Sequence, residues 1–344
     1  MPELTLTHAN ALLRQQNFRE ALVEYRRMVA ESHPLARLAQ ANIDICLRRE
    51  AKGCVAQPAA QDSDGPAEGS DIVICLTTID SRLHHLRQVI ESLHDQKLPP
   101  VAIRLYVSRE AYLLDAGISE KDPLLQAMAD LPLLQVHWVP NIGPYRKIMS
   151  FLKEHFSHDL TRDKLFVTVD DDTIYPPDFL QTLYENFKLH DCVVAFRGRE
   201  MVLHDGQIGS YADWGLGLPQ VSLANLPTGK DGVLYSTRFF TREFLRLDDA
   251  LSLAPTADDL WIKWHCAGNG VPSLILNPEA CTSDYKSFPT VNYSNEYRCK
   301  SLYSSYNSSD TRGKNDDSVR KLEVFYTDVY GLSLGELMGQ AISV

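Results

Sequence analysis

Residues Phe166-Val167-Thr168-Val169 are β-branched or aromatic, and they run straight into Asp170-Asp171-Asp172-Thr173-Ile174-Tyr175-Pro176-Pro177. So apolar a run reads as a buried strand, and the paired prolines end it. Three consecutive carboxylates at a strand's end repel one another unless a cation sits among them. In open α/β sheets that edge is also where ligands bind. Hard divalent cations take carboxylate oxygens, and Mg²⁺ typically uses one or two of them together with substrate phosphates. The stretch therefore predicts a metal and diphosphate site, with a solvated acidic turn as the competing reading.

The chain's 344 residues allow about two domains. Its 44% hydrophobic and 23% charged residues are those of an ordinary soluble protein. A net charge of −11 makes nucleic acid or an anionic membrane a poor main partner. A phosphate-bearing ligand must then be met by local cations or a metal. The cysteines, Cys46, Cys54, Cys75, Cys192, Cys266, Cys281 and Cys299, are odd in number and form no CxxC pair. That fits a reducing cytosol better than a disulfide framework or a zinc site. The start, Met1-Pro2-Glu3-Leu4-Thr5, lacks the basic and apolar regions of a signal peptide, and no apolar run approaches about 18 residues. The expectation is a soluble cytoplasmic protein, free or peripheral to the inner face of the membrane.

Residues 5–49 are helix-periodic, with Ala9, Leu12, Leu13, Phe18, Ala21, Leu22, Tyr25, Met28, Leu35, Leu38 and Ile43 recurring at three- and four-residue steps. Ala-Leu-Leu, then Asn17-Phe18-Arg19-Glu20-Ala21, Tyr25 and Pro34 resemble a tetratricopeptide repeat. Little more than one repeat is present, where about three are needed for independent stability. Residues 1–50 are therefore expected to dock on a neighbouring domain, a second copy or another protein. Residues 51–70 have linker composition. From Asp71 strands and helices alternate: strands at 72–76, 101–107, 134–139, 164–169 and 192–196, and helices at 83–93, 148–155 and 179–187. This pattern predicts a largely parallel sheet with helices on both faces, over residues 71–320. A further helix is expected from Asp258 to Ala267, with Thr256 as its N-cap and Asp259 completing a capping box. Residues 321–344 are expected to form a helical tail, ending in a short helix around Leu334 to Ile342.

Other constellations gather around the acidic strand end. Leu76-Thr77-Thr78-Ile79-Asp80-Ser81-Arg82 brings hydroxyls and a guanidinium to the first strand's carboxyl edge. Asn141-Ile142-Gly143-Pro144-Tyr145-Arg146-Lys147 is a Gly turn delivering two cations to a helix start, where the dipole disfavours them and a diphosphate would welcome them. Pro227-Thr228-Gly229-Lys230-Asp231-Gly232-Val233-Leu234-Tyr235 is a two-glycine loop that permits close approach of a ligand. Asp258 and Asp259 stand in a helix's first turn. There they either complement the dipole or supply a general base.

Taken in order, these five pieces resemble the GT-A glycosyltransferases. They come close to the family 2-type enzymes of bacterial capsule and lipopolysaccharide clusters. The resemblance implies a Rossmann-like, mostly parallel α/β fold and a hexosyltransferase-like enzyme using Mn²⁺ or Mg²⁺. The donor would be a nucleotide-diphosphate sugar, UDP-sugar favoured, and the acceptor a glycan or glycolipid. It makes Asp170-Asp171-Asp172 the DxD motif, with Asp172 on the metal and Asp170 on ribose or metal-bound water. It puts Thr77, Thr78, Arg82, Asn141, Arg146, Lys147, Asp171 and Gly232 around the donor. Asp259 becomes the base that deprotonates the acceptor hydroxyl, with Asp258 beside it, and the reaction is expected to invert. One departure is the metal-binding late histidine of many such enzymes. The last histidine here is His265, facing elsewhere by periodicity, so Asp284 or the Lys314-Asn315-Asp316-Asp317 segment is expected to close the site. The competing functions are a non-catalytic helical-repeat scaffold with a vestigial transferase domain and a Mg²⁺-dependent phosphohydrolase.

Overall fold

In the computed structural model the described residues are 8–9, 12, 17–31, 36, 39, 42–43, 46–47, 71–158, 163–276, 288–291, 305, 314–331 and 333–342. Strands β1 (Ile72–Thr77), β2 (Ala102–Val107), β3 (Leu134–Trp138) and β4 (Leu165–Thr168) lie in the order β3-β2-β1-β4, all parallel. Strand β5 (Val193–Ala195) is followed by the short strands β6 (Gly198–Glu200), β7 (Leu203–His204), β8 (Gln207–Ile208), β9 (Gly215–Leu216) and β10 (Asn225–Pro227). The chain then returns to the main sheet as β11 (Val233–Ser236) and β12 (Ser273–Ile275), giving the order β12-β5-β11-β4-β1-β2-β3. Strand β11 runs antiparallel to β4 and β5, while β12 is parallel to β5. The sheet is thus mostly parallel, as its apolar strands require: from Ile72 to Leu76 every residue of β1 is buried. A smaller antiparallel sheet, β10-β6-β9, stands beside it.

Helix α1 (Phe18–Ala30) buries Phe18, Ala21, Leu22, Tyr25 and Met28, the face its periodicity foretells. Asn42 donates to the Tyr25 hydroxyl at 3.2 Å. In α2 (Leu83–His94), Leu83, Leu86, Val89, Ile90 and Leu93 form the buried stripe. Helix α3 (Pro123–Gln126) is one turn long, capped by Asp122, whose carboxylate accepts from Leu124 and Leu125 N–H. Helices α4 (Arg146–His158) and α5 (Phe179–His190) follow β3 and β4. Helix α6 (Leu247–Leu253) precedes α7 (Asp258–Gly268), which is buried on every side except at Asp259 and so runs through the core. Its N-cap is Ala257, with no side-chain cap, so the expected capping box from Thr256 is absent. The Asp259 carboxylate instead reaches a neighbouring loop. Helix α8 (Lys314–Tyr330) runs unbroken through residue 320, where a boundary was expected, and α9 (Leu334–Ile342) coincides with the expected terminal helix. No helix among the described residues is long and apolar enough to cross a membrane.

Candidate active site

Because β1 to β4 are parallel, their carboxyl ends share one edge. Strand β11 runs the other way, and its first residue, Val233, stands opposite Thr168 at the end of β4. The loop entering β11 therefore reaches the same edge that β4 leaves. A cleft of about 640 Å³ opens there, lined by Thr77, Thr78, Arg82, Asn141, Arg146, Lys147 and Asp170 to Asp172, with Gly229, Lys230, Asp258 and Asp259 on its other side. That is the size of a small-ligand site.

The three consecutive carboxylates do different things. Asp171 is buried and turned inward, accepting from Thr78 Oγ1 at 2.7 Å and Arg82 Nη1 at 2.7 Å. It ties the β1 turn to the β4 end. Asp170 accepts from Lys147 Nζ at 2.7 Å, and its own N–H donates to the Tyr175 hydroxyl at 3.0 Å. Burial alone would raise the Asp170 carboxyl, but Lys147 outweighs it and holds the pKa below the usual range. Asp172 accepts from Thr173 Oγ1 at 3.1 Å and lies 3.6 Å from Arg82 Nη1.

The second acidic pair surrounds the same lysine. Gly229 N–H donates to Asp259 Oδ2 at 3.3 Å, and a Cβ on Gly229 would stand 3.4 Å from Asp259 Oδ1, 3.5 Å from Lys147 Nζ and 3.9 Å from Asp170 Oδ1. Glycine there lets Asp170 and Asp259 both approach one ammonium. Burial, then repulsion from Asp258, pushes the Asp259 carboxyl up to about 8, and burial raises Asp258 as well. Burial would lower Lys147, yet Asp170, Asp258 and Asp259 hold it above its ordinary value.

Several expected ligand contacts are occupied otherwise. The buried Arg146 guanidinium lies 3.0 Å from Asp115 and donates to the carbonyls of Thr78 at 3.1 Å and Gly143 at 3.3 Å. It locks the β1, β2 and β3 loops together and is not left for a diphosphate, because Asp115 supplies the buried countercharge. Asn141 Nδ2 likewise donates to Glu110 O at 2.7 Å and Asp115 at 3.0 Å. Thr77 Oγ1 donates to Tyr106 O at 2.8 Å. Gly232 is outside the cleft lining: at φ +90° it faces the Phe179 ring, which a Cβ would approach to 2.5 Å. Its partner Gly229 is the glycine of the site.

Of the segments expected to close the metal site, the carboxylates of Asp316 and Asp317 are engaged elsewhere. Asp316 caps the turn at Ser210 and Tyr211, accepting from Tyr211 N–H at 2.7 Å. Asp317 pairs with Arg320 and with Lys321 at 2.6 Å. Asn315 of that group lines the cleft. Asp284 lies outside the described residues. His265 does face elsewhere: it is buried, accepts from Thr241 N–H at 3.1 Å and is held neutral by burial, its pKa near 3. Among the described residues no group of three His, Cys, Asp or Glu could hold a metal. What remains suits a divalent cation that takes two protein carboxylates and completes its shell from phosphates. Asp170 and Asp172 are the members of the triplet whose side chains stay partly open, 32% and 16% exposed.

Asp115, Tyr112, Arg197, Arg199 and Tyr211 also line the cleft without having been singled out in the sequence. A signal existed for the arginines, since Phe196-Arg197-Gly198-Arg199 follows an apolar strand just as the three aspartates do. Asp115, on a loop between Leu114 and Ala116, carries no such signal.

No protein-family model matches this chain, and no curated protein matches it. Solved structures similar to it include Staphylococcus aureus TarS 1–349 in complex with UDP-GlcNAc, at 16% identity and a TM-score of 0.45 over 77% of this chain and 69% of that one. Mannosyltransferase PcManGT from Pyrobaculum calidifontis, in complex with GDP-Man and Mn²⁺, has 10% identity and a TM-score of 0.40 over 92% of this chain and 90% of that one. The 2-C-methyl-D-erythritol 4-phosphate cytidylyltransferase of Francisella tularensis has 10% identity and a TM-score of 0.36 over 70% and 100%. At TM-scores this low the overlays say nothing about substrate.

Proposed function

We propose that this chain is a metal-dependent glycosyltransferase that moves a sugar from a nucleotide-diphosphate sugar, UDP-sugar favoured, to a hydroxyl of a glycan acceptor. One observation supports it best: Asp170 and Asp259 both approach Lys147 at Gly229, one carboxyl held below its ordinary pKa and the other pushed above it, in one cleft. Sugar–phosphate cleavage needs charge stabilisation at the departing diphosphate and a proton acceptor at the incoming hydroxyl. Asp170 and Asp172 would hold Mn²⁺ or Mg²⁺, which supplies positive charge against the departing diphosphate when bound. Lys147 keeps Asp170 ionised for that task and adds its own charge. Asp259, its pKa near 8, takes the hydroxyl proton close to neutral pH, and Asp258 keeps it basic. Attack from the face opposite the diphosphate inverts the anomeric carbon. The resemblance to capsule and lipopolysaccharide enzymes supports a surface-polysaccharide acceptor.

The test is nucleotide-sugar binding and turnover with and without Mn²⁺. A donor at a hundred times its Kd stabilises the fold by about 2.7 kcal/mol, so the correct donor should raise the melting temperature only with the cation present. Asp172→Ala should abolish transfer and that cation-dependent shift, while the unliganded melting temperature is retained. Near-full activity of this variant with Mn²⁺ would refute the assignment.

A further inference from the structure

Beyond the carboxylates the cleft changes character. Arg199 and Lys230 line it together with Tyr211, Leu226 and Asn315. Arg199 lies on β6, the middle strand of the small sheet, paired with Leu226 on one side and Leu216 on the other. Directly opposed residues of an antiparallel pair project on one face about 5 Å apart, so the buried Leu226 packs beside the Arg199 stem. The guanidinium lies 5.1 Å from the Tyr211 ring centre and donates to Trp214 O at 3.2 Å, both uncharged partners. Among the described residues, neither Arg199 nor Lys230 has a carboxylate at ion-pair distance. By contrast, Arg82, Arg146 and Lys147 are matched by Asp171, Asp115 and Asp170. Asn315 Oδ1 is buried with no hydrogen-bond partner among them.

Position separates this patch from the nucleotide side. In the order β1-β4-β11-β5, three strand spacings of about 4.8 Å put the end of β5 roughly 14 Å from the end of β1. The Thr77 to Arg82 turn lies at the β1 end and Asp170 to Asp172 in between. Arg199, just past β5, stands on the side of the β11 loop and Asp259. Lys230 is near enough to Asp170 to favour its ionised form, so it lies between the two halves.

Resting on the donor-and-acceptor reading above, we propose that this patch is the acceptor subsite and that the acceptor carries an oxyanion, phosphate or carboxylate, beside the sugar that receives the transfer. Tyr211, in the cleft wall, offers an aromatic face for a sugar ring. Arg199, with Lys230, neutralises the oxyanion in the fork geometry that suits either group. Asn315 Oδ1 accepts from a hydroxyl. A protein of net charge −11 repels anionic glycans at long range, so it can bind one only where local cations outweigh that field.

The experiment is a glycan array of neutral, uronate-bearing and phosphate-bearing oligosaccharides. It is probed with the full chain in saturating UDP and Mn²⁺, with UDP affinity measured separately. Anionic glycans should be retained about tenfold or more over their neutral counterparts, and the stronger of the two anionic arms identifies the oxyanion. Arg199→Met should erase that preference with UDP affinity unchanged, and Arg199→Lys should keep most of it. Lys230→Met, on a loop outside the sheets, should weaken it even if Arg199→Met folds poorly. Equal retention of neutral and anionic glycans overturns the proposal. So does an Arg199→Met variant whose UDP affinity falls along with its glycan retention, because that would put Arg199 on the donor. Absence of UDP binding with anionic retention intact would sink the transferase reading and leave the subsite standing.

Discussion

Asp259 and Lys263 lie four residues apart on one helix, and burial drives both toward neutrality with opposite consequences for stability. Asp259 has a folded-state pKa near 8 against 3.8 when unperturbed, so the folded protein keeps a proton that the unfolded chain has lost. Its contribution therefore falls as pH rises between about 4 and 8, by up to about 1.4 kcal/mol per pH unit. Asp259→Asn removes the titrating group, so its melting temperature should exceed the wild type's at pH 8 and match it at pH 4. The same change keeps the shape but not the basicity. Turnover should fall by at least about a hundredfold while UDP binding persists, and a larger loss in Asp258→Asn would exchange the two roles. Lys263 is buried, its Nζ has no hydrogen-bond partner among the described residues, and burial pushes its pKa from 10.5 down to about 7. Here the unfolded chain holds the extra proton, so stability rises with pH from about 7 to 10.5. Lys263→Met should gain up to roughly 4 kcal/mol at pH 7, shrinking toward pH 10, as read by urea unfolding at several pH values.

At the scale of elements, the loop entering β11 carries two glycines with different duties. A Cβ at Gly232 would combine left-handed strain at φ +90° with a 2.5 Å approach to Phe179. Gly232→Ala should cost about 2 kcal/mol or more in denaturant unfolding. At Gly229 a Cβ would meet only polar side-chain ends at 3.4 to 3.9 Å. Gly229→Ala should fold normally and lose turnover, because the methyl crowds Asp259, Lys147 and Asp170. Equal destabilisation of both variants would contradict this division. Strands β1 to β5 and helices α2, α4, α5 and α7 were legible from their periods to within a residue or three, while β12 and α6 were not placed. The strands β6 to β10 were not, since two or three residues show no period. The helical tail was expected only from residue 321, so the start of α8 was hidden by its Ser- and Asn-rich surroundings, although Val319, Leu322, Tyr326 and Tyr330 repeat at helical steps and are buried.

For the whole molecule, α8 and α9 pack on α7, where Trp264 Nε1 donates to Glu323 at 3.0 Å, so the C-terminal helices brace the helix that carries Asp258 and Asp259. The N-terminal segment is proposed as a docking or self-association element through residues 5–49. Removing residues 1–60 should leave the sheet domain folded and change either the mass in solution, by light scattering, or turnover on a polymeric acceptor. Unchanged mass, solubility and turnover would refute that role. The sequence by itself determined the α/β layering and the edge chemistry, because hydrophobic period and the acids that follow an apolar strand are local properties of the chain. Tertiary structure alone decided which charges face the cleft. Thr78 and Asp171 are 93 positions apart, and their meeting turns Asp171 inward while Asp170 and Asp172 keep part of their side chains open to the cleft. Asp115 claims Arg146, and the approach of Gly229 sets Asp259 against Lys147. Whether a charge is free depends on a partner delivered by another element, and no local pattern encodes that distance.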